Sequence, residues 1–125
     1  MANVLCIGKD DAAMQTRRLI LERAGHSVTQ ATDLRRVIAA CQRDEFHVAL
    51  LGQLLGFPEK LRVTDVIRKN CPGAKILELY TSVAPEIPKD ADAHLSVNSD
   101  NLAEDLTGAV NRLSARKTRR EKRGA

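Results

Sequence analysis

The run Val48-Ala49-Leu50-Leu51 is apolar at every position. A strand with one wetted face would alternate, so an unbroken run of this length reads as a short central strand buried on both faces. Asp44-Glu45 precede it by a few residues and Gly52 closes it. Such a strand commits the chain to a parallel α/β sheet with helices on both sides, in which functional groups gather at the carboxyl ends of the strands. The residue in that place is Gly52, which offers no side chain.

At 125 residues and 43% hydrophobic, the chain suits one domain with a proper core. No apolar run approaches the roughly 18 residues of a membrane span, and charge enters by Lys9, so the expected setting is the cytoplasm, with no membrane partner. The three cysteines, Cys6, Cys41 and Cys71, each lie in or beside an apolar segment without CxxC spacing, and read as small reduced hydrophobes.

In chain order, strands alternate with helices. The apolar run Asn3 to Gly8 leads into Asp10-Asp11, suited to opening a helix from about Asp11 to Ala24, with Ala13, Ile20, Leu21 and Ala24 on one face and Gly25 as its stop. Arg17 falls in that stripe and is expected to lay its methylenes inward and push its head outward. His26 to Gln30 reads as a strand near an edge. Asp33 then opens a helix with Leu34, Val37, Ile38 and Cys41 on one face. After the central strand, Lys60 to Asn70 is expected to be helical, with Val63, Val66 and Ile67 inward. Lys75 to Tyr80 reads as a fourth strand. Pro85 and Pro88 predict a loop or single turn where the alternation calls for a helix. His94 to Val97 is a weak fifth strand, and from about Ser99 a last helix carries Leu102, Leu106, Ala109, Val110 and Leu113 on one stripe. The domain is thus read as residues 1–113, and residues 114–125 as a basic tail.

Charge is uneven. Residues 112–125 hold seven basic side chains against Glu121, a net +6, which leaves −2 for residues 1–111 because the whole chain carries +4. Arg116, Lys117, Arg119 and Arg120 are therefore candidate interaction residues, for a protein or, as a lesser alternative, for nucleic acid, since no aromatic is interleaved with them.

The alternation, the length and four local stretches resemble the receiver domain of bacterial two-component response regulators. Those stretches are Val4-Leu5-Cys6-Ile7 before acidic residues, Glu22-Arg23-Ala24-Gly25, Phe46 to Leu51, and Ala91 to Leu95. The resemblance implies a flavodoxin-like (βα)5 fold, a doubly wound five-stranded parallel sheet of order 2-1-3-4-5, here with the fourth helix shortened or missing. It also implies a chemistry that can be checked by position. The family's nucleophilic aspartate, at the end of the third strand, falls on Gly52. Its Mg²⁺-binding acidic pair falls on Gly8 and Lys9, with Asp10 just beyond. Its hydroxyl residue falls on Tyr80 or Thr81, its lysine on Val97, and its aromatic switch on His94. A register slip that used Asp10 and Asp11 as the pair would still leave Gly52 without a nucleophile.

His26, His47 and His94 are too isolated for a metal site, and no phosphate-binding glycine motif or nucleophile elbow is present. The expectation is a non-enzymatic pseudo-receiver without cofactor or metal that acts as a protein-interaction module in signalling, with Pro85, Pro88 and His94 on the binding surface. The alternatives are a phosphorylated regulator with a displaced site and a small nucleic-acid-associated protein.

Overall fold

Parallel pairing on both sides is what buries Val48 to Leu51. In the computed structural model β1 (Asn3–Ile7) and β4 (Lys75–Tyr80) flank β3 (Val48–Leu51), β2 (Ser27–Ala31) lies outside β1, and β5 (Ala93–Ser96) lies outside β4, giving the order β2-β1-β3-β4-β5 with every pair parallel. The helices are α1 (Asp11–Arg23), α2 (Leu34–Arg43), α3 (Phe57–Asn70) and α4 (Leu102–Gly124). The structure describes residues 2–81, 91–98 and 100–124, the last nine as backbone only. Four helices among the described residues fit the expected shortening of the fourth. Pro85 and Pro88 themselves lie outside the described residues, as does the connection 82–90.

Local chemistry sets the helix starts. The Asp10 carboxylate accepts from the backbone N–H of Ala12 and Ala13 at 3.0 and 3.3 Å, and Asp33 does the same for Arg36 at 2.9 Å, satisfying amides that a helix start leaves open. Gly25, with φ of 93°, turns the chain after α1. Helix α3 begins at Phe57 rather than at the expected Lys60, because Pro58 is tolerated in a first turn and the Glu59 carboxylate reaches back to the Gly56 N–H at 3.3 Å.

Two apolar layers hold the sheet. One face, with Ile7, Ala49, Leu51 and Ile76, packs on α2 and α3. The other, with Val4, Cys6, Val48, Leu50, Leu77 and Leu79, packs on Met14 and Leu21 of α1 and on Leu106, Val110 and Leu113 of α4. His26 and His47 immediately precede β2 and β3. Nδ1 of His26 accepts from the Ala2 N–H at 3.0 Å, so its Nε2–H donates to Asn111 at 2.8 Å, while Nδ1 of His47 accepts from the Asn3 N–H at 2.9 Å. No helix among the described residues is long and apolar enough to cross a membrane.

The cysteine reading is corrected for two of the three. Cys41 on α2 and Cys71 at the end of α3 form a disulfide, with Cα atoms 5.5 Å apart across 30 residues of sequence. Both helices cover the same sheet face, and their carboxyl ends converge there. Cys6 remains a free thiol, buried in β1, and burial pushes its pKa up to about 12.

Candidate functional site at the carboxyl edge of the sheet

The ends of β1 and β3 meet as a glycine pair. The Gly52 N–H donates to the Ile7 carbonyl at 2.8 Å, and a Cβ built on Gly52 would lie 3.2 Å from that oxygen and 3.5 Å from Cα of Gly8. A Cβ on Gly8 would meet Sδ of Met14 at 3.3 Å. A side chain at either position would crowd its neighbours, the Ile7 carbonyl at Gly52 and Met14 of α1 at Gly8, each of which would have to give by a few tenths of an ångström.

The space is filled from α1. Met14, Arg17 and Leu21 lie at i, i+3 and i+7 on its buried face. The Arg17 guanidinium does not snorkel outward, which corrects the sequence reading. Its Nη1 lies 3.3 Å from where a Gly52 Cβ would be, its Nη2 donates to the side-chain oxygen of Gln53, and the residue is only 6% exposed. Burial lowers its pKa, while the Cys6 thiol and the Asp10 carboxylate raise it. The missing side chains at Gly8 and Gly52 leave a volume that Met14 and Arg17 occupy.

The other positions are accounted for one by one. Asp10 spends its carboxylate as the α1 cap. Lys9 forms an ion pair with Glu59 at 2.7 Å, with both side chains largely exposed. The hydrogen bond from Lys9, followed by the one from the Gly56 N–H, holds the Glu59 carboxyl below its usual range. Lys9 is therefore engaged by an acid of the chain itself. Among the described residues no three His, Cys, Asp or Glu side chains are grouped to hold a metal ion.

Strand alternation distinguishes the two hydroxyl candidates. Leu77 and Leu79 of β4 face α1 and α4, as do Val48 and Leu50 of β3. Alternation carried on by two residues puts Gly52 and Thr81 on that same face and Tyr80 on the opposite one. Thr81, half-buried just past β4, thus shares the face of Gly52. Val97 follows β5 on the same face, packed against the α1/α4 layer as an apolar residue, and its N–H donates to the Tyr80 carbonyl at 2.9 Å.

A second polar cluster, not anticipated from the sequence, lies on the other face. Lys60 of α3 and Glu78 of β4 form an ion pair with side chains 5% and 0% exposed. Lys60 Nζ also donates to the Leu79 carbonyl at 2.7 Å, and Glu78 Oε1 meets Nδ1 of His94 at 2.8 Å. His94, read as a candidate contact residue, is about one-third exposed and also reaches the interior through its bond to Glu78. The signal available in the sequence was Glu78 itself, a charge inside the apolar run Ile76-Leu77-Glu78-Leu79, since a buried charge demands a partner. Arg116, Lys117, Arg119 and Arg120 lie on the later turns of α4, whose backbone stays helical to Gly124.

No protein-family model matches the chain, and no curated protein matches it in sequence. Solved structures are similar in fold. NtrX from Brucella abortus, in complex with ATP, aligns over 98% of this chain with a TM-score of 0.84 and 19% identity, and the chain spans 28% of that protein. A CheY-like response regulator receiver domain protein from Methanospirillum hungatei JF-1 aligns over 96% of this chain and 98% of its own, at TM-score 0.79 and 19% identity. For the chemotaxis protein CheY4 of Vibrio cholerae the values are 90%, 98%, 0.76 and 23%. The fold is that of a CheY-like receiver domain.

Proposed function

We propose that this chain is a pseudo-receiver, a receiver-fold module without phosphotransfer or other enzymatic chemistry, which binds a protein partner constitutively in a two-component type of signalling pathway. The observation that carries this reading is the Arg17 guanidinium seated against Gly52. The nucleophile's position has no side chain, and the pocket is closed by a cation that repels Mg²⁺. His94 tied to Glu78 supports a fixed rather than a switching surface. The reading keeps the cytoplasmic setting, in which case Cys41–Cys71 is one of that compartment's rare disulfides.

The arrangement predicts how the pocket responds to repair. Gly52→Asp alone should give a carboxylate paired with Arg17 and no gain in Mg²⁺ affinity, at a stability cost of about 1–3 kcal/mol from the crowding against the Ile7 carbonyl. Adding Gly8→Asp, Lys9→Asp and Arg17→Ala should bring saturable Mg²⁺ binding, read from amide shifts in an NMR titration. A folded quadruple variant with no gain in affinity would count against this placement of the strand ends. Saturable Mg²⁺ binding by the unaltered chain below the millimolar range would remove the reading altogether.

A further inference from the structure

The last three turns of α4 carry no apolar stripe. Among the described side chains Leu113 is the last of this helix in the apolar layer, and the backbone continues helical for eleven residues to Gly124, a further ~16 Å. Over that length only Ala115 is apolar, so no stripe exists that could be buried against the domain. At 100° per residue, positions 112, 116, 119 and 123 fall within about 60° of one another, and all four are arginine. Arg120 and Lys122 flank this face, while Lys117 and the single acid, Glu121, fall on the far side of the helix. Like charges at i, i+3 and i+4 oppose helix formation, so the arrangement does not serve the helix by itself. It becomes favourable when a polyanion lies along that face.

We infer that the arginine face of α4, at Arg112, Arg116, Arg119 and Arg123, docks on the phosphates of duplex DNA, without reading sequence. Four considerations favour this occupant. Arginine forms paired hydrogen bonds to phosphate and is the usual choice where that geometry is used. A helix 10–12 Å across fits a major groove about 12 Å wide. The aromatic content of the whole chain is Phe46, Phe57 and Tyr80, none of them in α4, so no stacking platform for single strands is interleaved with the basic face. The net charge of −2 over residues 1–111 confines attraction to the helix.

The test is fluorescence anisotropy of the full chain with a labelled duplex of about 20 base pairs and mixed sequence, at several salt concentrations. The expected slope of log affinity against log salt is about −4, one counterion release for each of four phosphate contacts. Arg116→Gln with Arg119→Gln should weaken binding at least tenfold, whereas Lys117→Gln with Lys122→Gln, equal in charge lost but off the face, should weaken it less than threefold. All four positions lie beyond Leu113, so folding is not at stake, and circular dichroism would verify it. The inference is overturned if the duplex does not bind at low salt, or if the two double variants lose equally. It is equally overturned if single-stranded DNA binds more tightly, or if polyglutamate competes as well as duplex, which would indicate an acidic protein surface.

Discussion

Lys60→Met should destabilise the domain by about 3–5 kcal/mol, because it strips Glu78, with no exposed side-chain surface, of its cation and removes a donor to the Leu79 carbonyl. His94, the remaining partner of Glu78, is one-third exposed and can compensate only in part. Replacing the pair together, Lys60→Met with Glu78→Leu, should cost far less and could be neutral, since attraction within a buried pair barely offsets the cost of removing both ions from water. Chemical denaturation of the two variants separates these outcomes. A single-variant loss below 1 kcal/mol would mean that Glu78 is hydrated in solution and that the cluster is not the buried network described here.

Reduction of the Cys41–Cys71 bond should cost about 3.5 kcal/mol and lower the melting temperature by about 10–15 °C. Closing a loop of 30 residues removes that much conformational freedom from the unfolded chain. Thiol counting by alkylation and intact mass checks the pairing. At pH 8 the native, unreduced protein should show no reactive thiol, because Cys6, at a pKa of about 12, is thiolate in only about one molecule in ten thousand. Unfolding without reductant should expose one thiol, and unfolding with reductant three. Three reactive thiols in the unreduced, unfolded protein would show that Cys41 and Cys71 are not joined.

The scaffold could be read from the sequence because it rests on repeating, local signals. Val48 to Leu51 declared a doubly buried strand, Asp10 and Asp33 marked helix starts, and the alternation marked a parallel sheet, whose strand order came only with the family resemblance. What escaped was set by which side chains meet across the fold. Arg17 looked like a residue that would reach for water, and only the empty volumes at Gly8 and Gly52, 44 residues apart in sequence, give its head somewhere to go. Cys41 and Cys71 each fit an apolar position, and nothing in their spacing says that the ends of α2 and α3 converge. Lys60 fell at the edge of the expected helix, so its inward direction became visible only once that helix began at Phe57.

The central claim is that the carboxyl edge of this sheet cannot carry a phosphoryl group, with Gly52 in the nucleophile's position and Arg17 in the pocket. Intact mass of the unaltered chain after incubation with acetyl phosphate and Mg²⁺ tests it most directly. The account predicts an unchanged mass at every time point. A stoichiometric gain of one phosphoryl group, labile in the manner of an acyl phosphate, would contradict it and would locate a working carboxylate elsewhere on this edge.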